Sequence, residues 1–131
     1  MIKKTITYTD YEGNSRTEDF YFNLSKPELM EMDFSADGGM EKMIKKIVDA
    51  QDTKKIIEVF KDIILRSYGE KSPDGKRFIK VRDGHKLAEE FAQTEAYSEL
   101  FMELATDDKA ATDFINGVIP QSLANELATR G

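Results

Sequence analysis

Two short segments near the start of the chain alternate between apolar and polar residues. Residues 2–8 (IKKTITY) place isoleucine and tyrosine on one face, and residues 20–24 (FYFNL) do the same with phenylalanine and leucine. Such alternation, in residues rich in Ile, Thr, Tyr and Phe, is typical of half-buried β-strands. Between them lies DYEGN, in which Gly13 and Asn14 tolerate a positive φ angle. The pattern therefore predicts a β-hairpin over residues 1–24.

A helical pattern follows the hairpin directly. Ser25 and Glu28 have the spacing of a capping box, in which each side chain binds the amide of the other residue. Leu24 and Leu29 stand where a hydrophobic staple would close the turn. Apolar residues then recur at helical spacing along the rest of the chain: Met40, Met43, Ile44, Ile47, Val48, Ile56, Phe60, Ile63, Ile64, Leu87, Phe91, Tyr97, Leu100, Phe101, Leu104, Ala111, Phe114 and Ile115.

Turn and capping residues divide this helical pattern. We expect a tight turn at residues 51–53 and helix caps at Thr94 and Asp107. We expect a helix to end near Gly117, and Pro120 suits the first turn of a last one. The result is about six short helices.

The fold class follows from these elements and from the length of the chain. Its 131 residues suit one domain with a single core. We therefore expect a single domain over residues 1–131 in the α+β class, in which the hairpin at 1–24 precedes a mainly helical part at 25–131.

The segment YGEKSPDGKRF at residues 68–78 combines two glycines with three basic residues. A phosphate-binding loop would lead from its last glycine directly into a helix. Here Gly75 is followed by KRFI, which favours an extended segment. SPDG is instead typical of a turn. We interpret the segment as a turn, with Gly69 ending the preceding helix and the basic residues forming a solvated rim or a contact for an acidic partner.

Composition and charge narrow the range of functions. The chain has no cysteine, which excludes disulfides and thiolate chemistry and favours a reducing, cytoplasmic setting. It begins with no signal peptide and contains no apolar run long enough to span a membrane, so we expect no membrane association. The net charge of -6 argues against nucleic acid as the main partner.

The charge is unevenly distributed along the chain. Residues 71–86 carry six Lys or Arg against two Asp, whereas residues 87–131 carry two basic and nine acidic residues. Glu95, Glu99 and Glu103 recur at a spacing of four, which places them on one helix face without lysines on the same helix to balance them. Such a stripe is either a solvated face or a surface for a basic partner.

Candidate catalytic residues are few. His85 is the only histidine, and an exposed position in the first turn of a helix is expected for it rather than a role as general base. The serines have no local partner that would activate them, and one helix face of acids offers too few converging oxygens for a magnesium site. We therefore expect no enzyme activity, no cofactor and no metal.

Methionine is concentrated in one segment. Met30, Met32, Met40 and Met43 fall within fourteen residues. Thioether side chains fill irregular gaps in cores, and they also form adaptable binding surfaces. Both interpretations remain open, and the second predicts a groove for a partner helix.

Three segments together resemble a known family. TEAYSELFMELATDDKAATDFINGVIP (94–120), YGEKSPDGKRFIK (68–80) and KTITYTDYEGNSRTEDFYFNL (4–24) are similar to the tail assembly chaperones of long-tailed, siphovirus-type bacteriophages of Gram-positive hosts. The resemblance covers nearly the whole chain, but its motifs are structural.

The resemblance implies a non-catalytic chaperone in the host cytoplasm. Its partners would be the tape measure protein and tail tube subunits, and it would form a homo-oligomeric ring or spiral. From patterning alone, we expect partner contacts at one set of apolar and acidic residues: Met30, Met40, Met43, Glu95, Glu99, Phe101, Met102 and Glu103.

Two other functions remain open at this point. One is a structural virion protein, such as a head-tail connector or a tail completion subunit. The other is a small nucleic-acid-binding regulator that uses the basic residues between Lys71 and Lys86, which would require a helix to present them.

Overall fold

A computed structural model of the chain describes residues 1–31 and 53–119. The helix predicted around Met40–Val48, the start of the turn at residues 51–53 and the helix after Pro120 lie outside these ranges. Among the described residues, no helix combines the length and the apolar character needed to cross a lipid bilayer.

The predicted N-terminal hairpin is confirmed. Strands β1 (Ile2–Thr9) and β2 (Ser15–Phe22) pair antiparallel along their full length, from Ile2 opposite Phe22 to Thr9 opposite Ser15. Gly13 has a φ of 87° in the connecting turn, a conformation that favours glycine. The Asp10 carboxylate accepts hydrogen bonds from the amides of Glu12 and Asn14, both at 2.9 Å, and so fixes the turn.

The hairpin belongs to a larger sheet that the sequence pattern did not predict. Strands β3 (Tyr68–Lys71) and β4 (Phe78–Ile79) extend it to four strands in the order β1-β2-β3-β4. Strands β5 (Val81–Arg82) and β6 (His85–Lys86) form a separate small hairpin. The part of the chain expected to be mainly helical thus contains four short strands between residues 68 and 86.

Five helices are present in the described residues: α1 (Lys26–Glu31), α2 (Thr53–Ser67), α3 (Leu87–Ala92), α4 (Glu95–Thr106) and α5 (Asp108–Val118). The α+β class is therefore confirmed.

The predicted helix caps are also confirmed. The Ser25 amide donates to the Glu28 carboxylate at 2.9 Å, and the Glu28 amide donates to Ser25 Oγ at 3.3 Å. Thr94 Oγ1 accepts from the Tyr97 amide, and the Asp107 carboxylate accepts from the first amides of α5.

The core lies between the sheet and the helices. Phe22 is fully buried, and its ring packs edge-on against Phe91 and Phe114, with centroid distances of 5.7 Å and 5.2 Å. The Leu24 amide donates to the Val118 carbonyl at 2.8 Å. Helices α3 and α5 thus cover Phe22 at the end of β2.

Gly69 does not have the predicted role. Gly69 was expected to end the long helix, but α2 ends at Ser67 and Gly69 lies inside β3, opposite Tyr21 of β2. The prediction for Gly69 was wrong because this glycine allows β4 to approach closely. The prediction that a helix ends near Gly117 is confirmed, since α5 ends at Val118.

Candidate functional site

The structure places five of the eight candidate residues on α4. Met40 and Met43 lie outside the described residues. Met30 lies in α1, where only its backbone is described. The methionine-rich surface predicted from the sequence is therefore neither confirmed nor contradicted. Within the candidate site, side-chain contacts are described for the residues of α4.

Helix α4 packs its apolar side against the core. Leu100 and Leu104 are buried, and Phe101 is half-buried against the same cluster. The Phe101 ring lies 6.0 Å from that of Tyr97. Phe101 thus contributes chiefly to packing within the molecule.

Two residues of the hairpin bind acids of the α4 stripe, which consists of Glu95, Glu99 and Glu103. Tyr11 donates to the Glu95 carboxylate at 2.8 Å, and Lys4 Nζ lies 3.1 Å from Glu103 Oε1. The hydrogen bond to Glu95 raises the pKa of the Tyr11 hydroxyl, because it favours the protonated form. The stripe lacks lysines on its own helix, as expected, but Lys4 of β1 supplies a cation that sequence spacing could not reveal.

The outward side of α4 retains a small acidic and apolar surface. Met102 is 57% exposed, Glu99 lies almost one helical turn before it, and Glu103 follows it directly in sequence. Glu99 forms no ion pair with any described residue. We call Glu99, Met102 and Glu103 the α4 patch.

The SPDG segment is a turn, as predicted, and it joins strands β3 and β4. Gly75 has a φ of 74°, and its amide donates to the Ser72 carbonyl at 2.9 Å. The Asp74 carboxylate accepts from Ser72 Oγ at 2.6 Å and from the Lys76 amide at 3.0 Å, and these bonds lower its pKa. Because a carboxylate already takes these donors, the turn does not have the arrangement of a phosphate-binding loop.

His85 is exposed, as expected, but it does not lie in a helix. It lies in β6 after a tight turn in which Asp83 and Gly84 have φ angles of 52° and 79°, and α3 begins only at Leu87. Within residues 1–31 and 53–119, no three His, Asp or Glu side chains come together as a group that could hold a metal ion.

The structure also contains a groove that the sequence analysis did not identify. It has a volume of about 800 Å³ and lies between α2, β3, the β5–β6 hairpin and α3. Its charged lining is predominantly basic, and we call it the basic groove. The charged residues that line it are Lys61, Arg66, Lys80, Lys86 and Glu89. The positive balance of residues 71–86 was the only sequence signal for it.

Tyr68 is the aromatic residue that lines the basic groove. The ring of Tyr68 stacks on that of Phe91, with a centroid distance of 4.3 Å and an interplanar angle of 6°. Burial, together with the nearby carboxylates of Glu70 and Glu90, raises the pKa of Tyr68 to about 12. Tyr68 therefore stays neutral at physiological pH and offers an uncharged ring and hydroxyl.

Lys80, at the edge of this groove, binds residues of three other segments. Its ammonium donates to the carbonyls of Asn23 at 2.8 Å and Arg66 at 2.6 Å, and it is ion-paired with Glu28 of the capping box. Burial lowers the pKa of Lys80 more than Glu28 raises it. Although burial acts in the opposite direction, the bonds from Lys80 and Ser25 lower the pKa of Glu28.

A protein-family model described as phage tail assembly chaperone matches residues 1–130 of the chain. No curated protein and no solved structure gives a significant match. The family match agrees with the resemblance seen in the sequence, while the Gram-positive host that the resemblance implies stays a prediction.

Proposed function

The chain belongs to the phage tail assembly chaperone family, and on that basis we propose that it captures the tape measure protein and recruits tail tube subunits without catalysing a reaction. The family match over residues 1–130 is the observation that carries this proposal. Tail assembly takes place inside the infected cell, so the proposal includes the host cytoplasm as the site of action.

The α4 patch is the described surface that best suits this role. A long helical partner exposes apolar stripes until the tail tube encloses it, so a chaperone needs adaptable apolar contacts combined with solubilising charge. Met102 supplies an exposed and flexible apolar side chain, and Glu99 and Glu103 supply the charge. The other predicted contacts, Met30, Met40, Met43, Glu95 and Phe101, remain predictions.

The test is co-expression of the chain with the tape measure protein and the tail tube protein encoded beside it, followed by pull-down and a solubility assay. We expect the tape measure protein to remain soluble and to co-purify with the chain. Replacing both Glu99 and Glu103 by Lys should lower its recovery by about tenfold, because the patch changes from two negative to two positive charges.

The matched control is Asp113→Lys, which reverses an exposed acid on the neighbouring helix α5. Asp113→Lys should leave recovery unchanged. If the variant with both Glu99→Lys and Glu103→Lys recovered as much tape measure protein as the unmodified chain, the α4 patch would not be the capture surface. If the chain bound neither protein but was present in purified particles, a structural role in the virion would replace the chaperone role.

A further inference from the structure

Two of the four cations that line the basic groove are not neutralised by the described part of the chain. Arg66 and Lys80 are each ion-paired with an acid. Lys61 of α2 and Lys86 of β6 are exposed and form no ion pair with any described residue. Because the net charge of the chain is -6, these two free cations mark a local surface that favours a ligand with negative charge.

One acid also lines the groove. Glu89 of α3 is exposed and is the only acid among the described lining residues. It forms no ion pair with any other described residue, so the two free lysines exceed it by one positive charge. An anionic ligand should therefore bind more tightly when the charge of Glu89 is removed.

Apolar side chains form much of the remaining lining. Leu65, Val81, Ala88 and Ala92 all contribute to it. Val81 is 57% exposed, and the two alanines are four positions apart on α3, where their small side chains leave space for a ligand beside the helix. The groove thus suits a ligand that carries an apolar residue as well as negative charge.

Tyr68 helps to decide between a protein and a nucleic acid as the ligand. Its ring is half-buried and already stacks on Phe91 of the same chain, so it does not resemble an exposed ring on which a base could stack. Its neutral hydroxyl can still donate to a carboxylate. Nucleic acid binding also depends on many cations at phosphates, whereas this groove combines two free lysines with an apolar lining. These features favour an acidic protein segment.

We propose that the basic groove binds an acidic amphipathic helix of a partner protein. A helix presents carboxylates three or four positions from an apolar residue on one face. In the complex, the apolar residue packs against Leu65 and Val81, and the flanking carboxylates pair with Lys61 and Lys86. No described lining residue belongs to α4, so the groove can be occupied while the α4 patch holds another partner.

The inference goes beyond the proposed function, because it assigns a second binding surface and the chemistry of its ligand. Its test uses the purified full chain and synthetic peptides, without the tape measure protein or the tail tube protein. Failure of this test would therefore leave the capture assay unaffected, and failure of capture would leave the groove unaffected.

The experiment is a fluorescence anisotropy titration of the full chain with a labelled helical peptide. The peptide has about four turns and carries leucines on one face, flanked by glutamates. A matched peptide has lysine in place of every glutamate. We expect the acidic peptide to bind at least about tenfold more tightly than the lysine peptide, and we expect added salt to weaken its binding.

Variants of the groove should change this affinity in both directions. Lys61→Glu and Lys86→Glu should each weaken binding of the acidic peptide by about tenfold, whereas Glu89→Gln should strengthen it by about threefold. The matched controls lie on α5, where Lys109→Glu and Asp113→Asn make the same changes of charge away from the groove and should leave the affinity unchanged. Circular dichroism checks that every variant is folded.

Three results would overturn the proposal. The first is equal affinity for the acidic and the lysine peptide, or no binding of either. The second is an affinity for the acidic peptide that the three groove variants leave unchanged. The third is tighter binding at the groove of a DNA oligonucleotide, or of a peptide copying residues 32–52 or 120–131 of the chain, because the groove would then have a different ligand.

Discussion

At the residue scale, Gly69 lies where the sheet leaves no room for a side chain. An added Cβ would be 2.6 Å from the Ile79 carbonyl oxygen and 2.6 Å from the Phe78 ring. We expect Gly69→Ala to lower the free energy of unfolding by about 1–3 kcal/mol, because backbone and ring must both move. Chemical denaturation would measure this change.

The control for Gly69 is Lys71→Ala at the exposed end of the same strand, which should change stability by less than about 0.5 kcal/mol. Equal stability of Gly69→Ala and the unmodified chain would show that β4 shifts at no cost.

A second glycine, Gly117 near the end of α5, also allows a close approach between segments. An added Cβ at Gly117 would be 2.5 Å from Ile2 Cδ1, so this glycine allows β1 to lie against α5. Glycine near the end of a helical pattern usually marks its terminus. The neighbour that makes glycine necessary here lies more than a hundred residues away in sequence, and no local pattern contains it.

At the element scale, the ion pair between Glu28 and Lys80 makes the start of α1 sensitive to acid. The pKa of Glu28 in the folded chain lies below its ordinary value of 4.5. The unfolded chain therefore binds more protons as the pH falls, so this stabilisation is complete above about pH 4.5 and is lost through the folded pKa.

Glu28→Gln tests this pH dependence. The variant should be less stable than the unmodified chain by about 1 kcal/mol at pH 7, and the difference should shrink below pH 4.5. Denaturation curves at several pH values would measure it. The control is Glu31→Gln on the exposed side of α1, which should be as stable as the unmodified chain. If the difference in stability between the unmodified chain and Glu28→Gln stayed constant down to pH 3, the prediction would be contradicted.

Elements set by neighbouring residues could be predicted, whereas those set by distant residues could not. The turn of the hairpin and the caps at Ser25, Thr94 and Asp107 depend on partners within four residues, and all were predicted. Strand β3 continues directly from α2 and pairs with β2, so nothing local indicates it. The candidate site follows the same rule, because the acids on α4 were predicted but their partners Lys4 and Tyr11 were not.

At the scale of the whole molecule, the described parts of the chain share one core. The rings of Phe22 from β2 and Phe114 from α5 are 5.2 Å apart, although 92 positions separate them in sequence. We expect Phe114→Ala to lower the free energy of unfolding by about 3–5 kcal/mol, because it removes a buried ring from this contact.

Hydrogen exchange would test whether the molecule unfolds as one unit. In Phe114→Ala, amides of β2 and α5 should lose protection together, which would support the predicted single domain. The control is Asn116→Ala on the exposed side of α5, which should leave both elements protected. Loss of protection confined to α5 would show that the hairpin is stable without it.

The contact between Leu24 and Val118 also has a consequence for synthesis of the chain. The ribosome makes β1 and β2 first. The Val118 carbonyl that accepts from the Leu24 amide and the Phe114 ring that packs against Phe22 both belong to α5. During translation the contacts that α5 makes with Leu24 and Phe22 therefore form only after residues 108–118 have been made, whereas Phe91 of α3, which also packs against Phe22, is made earlier. The buried environment of Phe22 is thus completed only when α5 has been synthesised and has packed against the hairpin.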